Sequence, residues 1–279
     1  MRELSAAQIT ETVRRLCVEA NCHLPRDMKD RIRESLEGEN WPCAREILER
    51  ITENYEIADR ENQPICQDTG MACVFLKIGQ EVHISGDLTK AVNEGVRRGY
   101  EEGYLRKSVV RDPLDRVNTG DNTPAVLYCE LVPGDRVEIT VAPKGFGSEN
   151  MSQIKLLRPS DGLQGVKDFV VQVVKDAGPN PCPPVVVGVG IGGTFDKAAY
   201  LAKKALLRPV DVRNENPFYG QLEQELLERI NALGIGPQGL GGRTTALAVN
   251  IETFPTHIAG LPVAVNINCH VTRHQTEVL

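Results

Sequence analysis

The sequence has no apolar run approaching the length of a membrane span and no basic-then-apolar segment at its start, "MRELSAAQITETVRRL". It therefore reads as a chain with no membrane partner, expected in the cytoplasm. It also has no basic block longer than a few residues. Lys and Arg number 32 against 38 Asp and Glu, a net charge of −6, which argues against nucleic acid as a partner. There is no C-x-x-C pair, which removes a zinc ribbon and a ferredoxin-type run. No internal repeat and no low-complexity linker divide the chain. The eight cysteines lack the dense regular spacing of a disulfide scaffold and read as reduced thiols or metal ligands.

What is present suits a globular protein. A chain of 279 residues, 41% hydrophobic and 25% charged, can bury a sizeable core as one large domain or two small ones. "AAQITETVRRLCVEANCHL" and "AREILERITENYEIADRE" carry apolar residues at helical spacing, so the first sixty residues are expected to be helical. From Met71 the texture changes to apolar β-rich stretches: "MACVFLKIG", "AVLYCELV", "DRVEITVAP", "PPVVVGVGIGG", "TTALAVNIE" and "LPVAVNINCHV". Helical candidates fall between them near residues 86–103, 160–177, 193–207 and 217–233. Helices and strands mix without strict βαβ alternation, which predicts an α+β fold with a mixed, largely antiparallel sheet rather than a doubly wound one. The expected organisation is one domain over 1–279, a helical segment to residue 60 followed by a mixed α/β body. Residues 111–124 and 234–243 are dense in turn formers and are expected to be loops.

Two motifs invite chemistry. Gly188, Gly190 and Gly193 fit G-x-G-x-x-G after an apolar strand and before the helical pattern "FDKAAYLAKKAL", the geometry of a dinucleotide site. Only a weak strand candidate, "RPVDVRN", follows to present Asp211 to a ribose. The favoured reading is that the glycines let a strand pack closely on its following helix. Among the cysteines, the default is a small buried hydrophobe, but three are set apart. Cys66 lies in "NQPICQDTGMACVF", Cys182 in "GPNPCPP" and Cys269 in "NINCHVTRH". Rigid turns and strand ends hold a thiolate still and leave room for an inorganic cluster.

"QPICQDTG", the G-x-G-S-E-N of "APKGFGSENMS", "GVGIGGTFDKAAYLAKKAL" and "HIAGLPVAVNINCHVTRH" together resemble the iron–sulfur hydro-lyases of the class I fumarase and L-tartrate dehydratase family. The likeness is to the α subunit, or N-terminal half, and runs from about residue 10 to the end. It implies that Cys66, Cys182 and Cys269 hold a 4Fe–4S cluster with one iron not ligated by cysteine. Cys17, Cys22, Cys43, Cys73 and Cys129 keep the default reading. The resemblance also assigns substrate contacts to Gln67, Asp68, Arg106, Gly147 and His257, with Asp68 or His257 as the catalytic proton relay.

These residue types suit dehydration of a 2-hydroxy dicarboxylate. Hydroxide leaves poorly, and an iron with an open position can act on it as a Lewis acid. Such an iron is also reachable by oxidants, so oxygen sensitivity is expected. Arg106 can grip a carboxylate through two N–H groups, Gln67 can donate, and Gly147 lets a backbone N–H come close. The implied reaction is (S)-malate to fumarate, with L-tartrate to oxaloacetate as the alternative. Family members complete the site with a C-terminal domain. Because this chain stops at "VTRHQTEVL", a separate β subunit in a higher hetero-oligomer is expected. A nucleotide-dependent oxidoreductase built on the glycine motif and a non-catalytic cluster-bearing redox sensor are the rival classes.

Overall fold

The computed structural model describes residues 2–279. In chain order its elements begin with β1 (Arg2–Ser5), α1 (Ala6–Cys22), α2 (Arg26–Gly38), α3 (Pro42–Glu61), β2 (Met71–Gly79), β3 (Val82–Ser85), α4 (Leu88–Glu102), β4 (Val126–Val132) and β5 (Val137–Lys144). They continue with α5 (Phe146–Glu149), β6 (Gln153–Leu157), α6 (Gly162–Ala177), β7 (Val185–Gly192), α7 (Phe195–Ala205), α8 (Pro217–Asn231), β8 (Ala246–Phe254), β9 (Leu261–Asn268) and β10 (Gln275–Val278). The fold is α+β with mixed sheets, as the patterning predicts. Among the described residues no helix is long and apolar enough to cross a membrane.

The chain does not divide near residue 60 into a helical segment and one body. It forms two compact units, each assembled from separate stretches: one from residues up to Pro25, Tyr55–Phe146 and Arg273–Leu279, the other from Arg26–Asn54 and Gly147–Thr272. Each unit has its own four-stranded sheet, so two cores replace the single body expected. Periodicity could not show this, because which strands share a sheet is set by pairing between segments far apart in sequence.

In the first unit the sheet order is β10-β5-β2-β4, with β2 parallel to β4 and antiparallel to β5. Alternation along β2 sends Ala72, Val74 and Leu76 into a core with Ile9, Val13 and Leu16 of α1 and Val92, Val96 and Tyr100 of α4. Phe75 on the other face stacks on Tyr128, ring centroids 4.8 Å apart. Helix α1 starts at a reciprocal cap: Ser5 Oγ accepts Gln8 N–H at 3.3 Å and Gln8 Oε1 accepts Ser5 N–H at 3.0 Å. Strand β1, unforeseen in "RELS", pairs in parallel with β3.

In the second unit the order is β6-β9-β7-β8, with β7 parallel to β8 and antiparallel to β9. Val185, Val187 and Val189 of β7 face α6 and α8, where they join Val170, Val173, Leu226 and Ile230. The intervening Gly188 and Gly190 lie against α7. A Cβ on Gly188 would sit 2.1 Å from Ala202 O, and one on Gly190 2.1 Å from Ala198 O. These glycines therefore exist for close helix–strand approach. Asp211 lies in a turn rather than on a strand after α7, so the dinucleotide context is absent from this motif.

The packing makes a sharp prediction. Gly190→Ala should destabilise the protein by about 1–3 kcal/mol, because a methyl there meets backbone that cannot swing aside. Chemical denaturation measures it; an unchanged midpoint would show that α7 can shift at no cost.

Candidate functional site

The stretch between α3 and β2 is built as a rigid turn. Buried Ile65 starts it, its N–H bound to Asn21 O at 3.0 Å. Cys66 follows, half-buried, and its Sγ accepts the Asp68 N–H at 3.4 Å. The Asp68 carboxylate is oriented by two backbone donors, Gly70 N–H at 3.0 Å on Oδ1 and Phe146 N–H at 2.9 Å on Oδ2. Three buried side chains then grip the turn's consecutive carbonyls. Arg273 Nη2 donates to Asp68 O. Tyr100 Oη lies 2.7 Å from Thr69 O and 3.1 Å from Gly70 O. Asn122 Nδ2 donates to Gly70 O at 3.1 Å.

The same contacts bring Arg106 to the turn. Thr69 Oγ1 donates to Arg106 O at 3.0 Å, and Asn122 Oδ1 accepts the N–H groups of Ser108 and Val109 at 2.7 and 3.2 Å. The loop after α4 is thus tied to the residues after Cys66. The Arg106 side chain is exposed, and among the described residues its guanidinium has no hydrogen-bond or ion-pair partner. Gln67 is exposed beside Cys66. Cys66, Gln67, Asp68 and Arg106 therefore share one locality of the first unit.

In the second unit, Cys182 precedes β7 and Cys269 follows β9. The antiparallel register, Val186 opposite Asn268, puts both at the same end of the sheet. His270 joins them: its N–H is bound to Cys182 O at 3.4 Å and its Nδ1 lies 3.0 Å from the same oxygen. The same Nδ1 lies 3.3 Å from Gln238 Nε2. Cys182 is exposed and held at φ +55°, a left-handed conformation rare outside glycine. Gly147 lies at this end too, its nearest neighbour beyond adjacent residues being Asn180 O, 3.8 Å from where a Cβ would be. Beneath α5, Lys203 Nζ binds Glu149 Oε1 at 2.6 Å and Asn266 Nδ2 binds Glu149 Oε2 at 2.7 Å. An open cavity of about 380 Å³ adjoins, lined in part by Arg50, Asn54, Gln238 and His270.

His257 is not brought to this end. It sits exposed in the loop before β9, whereas Cys269 follows that strand. The eight residues of β9 separate them by more than about 20 Å at an ordinary strand rise.

Thiols are the donors that an iron–sulfur group takes. Three thiols stand on turns or strand ends, and one already receives a backbone N–H of the kind that tunes cluster sulfurs. Two buried cations lie in the first unit by the Cys66 turn, Arg273 on Asp68 O and Lys144, whose Nζ donates to Gly145 O at 3.3 Å. Both suit an anionic ligand. Among the described residues no three His, Cys, Asp or Glu side chains converge as for a single metal ion. Of the other cysteines, Cys17, Cys22 and Cys73 are buried, as the default reading has it, but Cys43 and Cys129 are exposed, near the start of α3 and on edge strand β4. Burial pushes the Cys17 thiol up to about 12 and raises Cys22 and Cys129, which disfavours their thiolates.

Sequence reading missed Arg273, Lys144, Tyr100 and Asn122. The first two lie inside quoted motifs, "VTRH" and "APKG", but nothing in the pattern says that these charges are buried.

Comparison with known proteins adds a family. Residues 10–278 match the family model described as fumarate hydratase (Fumerase). The chain is 45% identical over 273 residues to a putative L(+)-tartrate dehydratase subunit alpha of Methanocaldococcus jannaschii, covering 95% of each chain. It is 34% identical over 279 residues to the L(+)-tartrate dehydratase subunit alpha of Escherichia coli, covering 99% of this chain and 92% of that one.

The grip on the turn can be measured. Tyr100→Phe leaves the packed ring in place but strips a donor from Thr69 O and Gly70 O, and should destabilise the first unit by about 1–3 kcal/mol. An unchanged denaturation midpoint would mean that those carbonyls find other donors.

Proposed function

The chain belongs to the fumarate hydratase (Fumerase) family, and from that premise we propose that it is the α subunit of a hydro-lyase that dehydrates a 2-hydroxy dicarboxylate, with L-tartrate favoured. The observation that carries the reading is the meeting of Cys182, Cys269 and Gly147 at one end of a sheet, in a chain similar along nearly its whole length to tartrate dehydratase α subunits. The (S)-malate reading shares every motif. The names of the relatives favour tartrate over it. Those names also support a separate β subunit as partner.

In this reading Cys66, Cys182 and Cys269 hold a 4Fe–4S cluster. When bound, the cluster supplies one iron without a cysteine ligand, a Lewis acid for the hydroxyl that leaves. Arg106, exposed and without a partner among the described residues, offers its planar fork to a substrate carboxylate. Gln67 adds an amide donor beside it. Asp68 stays oriented by Gly70 and Phe146 N–H groups and keeps lone pairs with which to hold a proton or a substrate hydroxyl. Gly147 keeps its space clear: φ is not left-handed and no neighbour is closer than ordinary contact, so backbone geometry does not require glycine there. Room for a ligand is the remaining reason. His257, a strand's length from Cys269, is not given the relay within its own chain.

Two experiments test this on the anaerobic enzyme assembled with its β subunit. Cys66→Ser, Cys182→Ser and Cys269→Ser should each lose cluster iron and activity, while Cys129→Ser should keep both; a Cys182→Ser protein with a full complement of iron would remove that ligand. Gly147→Ala should retain iron and melting temperature but lower kcat/KM about tenfold to a hundredfold, the loss of one or two hydrogen-bond contacts to a charged substrate. Measured with L-tartrate and (S)-malate, the same assay decides the substrate, and a preference for malate would reverse the assignment.

A further inference from the structure

Arg273 lies four residues beyond Cys269 in the sequence. Its residue is only 4% exposed, yet one guanidinium nitrogen alone is engaged: Nη2 donates to Asp68 O, while Nε and Nη1 have no acceptor among the described residues. Among the described residues no carboxylate is paired with it. A buried cation with unmet donors is costly, and such arrangements persist where they serve something besides stability.

What Arg273 touches is the carbonyl between the two residues offered to substrate and the gripped end of the turn. Thr69 O and Gly70 O are held by Tyr100 and Asn122, which are neutral. Asp68 O alone is held by a charge. That peptide sets the direction of the Asp68 side chain, whose Oδ2 is also in tight contact with Gly145, 3.2 Å from where a Cβ would be. It sets the exit of Gln67 as well. Letting go of this carbonyl would free the peptide plane and both side chains with it. The positive charge stays in place for an anion arriving at the turn.

We propose that Arg273 is a positioning residue: through Asp68 O it fixes the Gln67–Asp68 pair in the orientation that meets an anionic substrate, and its uncompensated charge favours binding of that anion. The proposal rests on the hydro-lyase reading for its substrate, but the clamp itself does not.

The test uses Arg273→Lys, which keeps the charge and one donor, and Arg273→Gln, which removes the charge and shortens the reach. Amide hydrogen exchange over residues 66–70 of the anaerobic full-length chain without substrate should rise at least about tenfold in Arg273→Gln and much less in Arg273→Lys, with β2 and α4 unchanged. In the enzyme with its β subunit, Arg273→Gln should raise KM about tenfold or more with a smaller fall in kcat, and Arg273→Lys should recover most of the loss. Iron content should match wild type in both. Wild-type exchange and KM in Arg273→Gln would overturn the proposal. So would parallel losses of melting temperature, iron and kcat in both variants without a KM effect, the signature of a merely structural arginine. If wild-type protein dehydrated no hydroxy acid, the proposed function would fall, and the exchange result would decide for or against the clamp.

Discussion

The hydrogen bonds that buried side chains make to the carbonyls of Asp68, Thr69 and Gly70 are the constraint on which the shape of the Cys66–Gly70 turn depends. A turn that leaves a helix and enters a strand has carbonyls with no ladder to join, and buried carbonyls must be satisfied somehow. Here the donors come from α4, from the loop before β4 and from the segment before β10, so three remote parts of the chain must be in place before the turn has a shape. Once they are, the Cys66 thiol, the Gln67 amide and the Asp68 carboxylate point where the backbone sends them. The Arg106 loop is fixed by the same Asn122 that holds Gly70.

The second unit reaches its arrangement by a different device. A central strand buried at all but one position, β7, antiparallel to β9, makes the start of one and the end of the other neighbours. That register puts Cys182 and Cys269 at one end of the sheet, where the His270 N–H is bound to Cys182 O. The close packing of α7 on Gly188 and Gly190 fixes the strand on its far face, and the Lys203–Glu149–Asn266 contacts carry α5, with Gly147, to the same end. Sheet geometry equally explains the distance of His257. A residue just before a strand and one just after it cannot share a site at a single end of that strand.

The two glycine sites illustrate how similar residues serve opposite purposes. Gly188 and Gly190 are filled against by backbone of α7, so their missing side chains are occupied by the protein itself. A Cβ on Gly147 would meet only Asn180 O, at an ordinary 3.8 Å. The first pair is architecture, whereas the space at the second is left open, a distinction that no spacing motif contains. It is also why G-x-G-x-x-G here does not mark a nucleotide.

Much was legible in the chain itself. Alternating and helical apolar periods placed β2, β4, β5, β7, β8 and β9 and helices α4, α6, α7 and α8 within a few residues, because a half-buried strand or helix must repeat its apolar positions with the period of its backbone. The three distinctive cysteine settings and the family likeness were legible too, since turn residues and motif blocks are local. Short edge strands β1, β3, β6 and β10 were not, having too few residues to show a period. The division into two units, the exposure of Cys43 and Cys129, the isolation of His257 from Cys269 and the burial of Lys144 and Arg273 were decided by tertiary structure alone. Each depends on which distant segments pack together: a sequence fixes the chemistry a side chain carries, whereas its neighbours and its access to water come only from the fold.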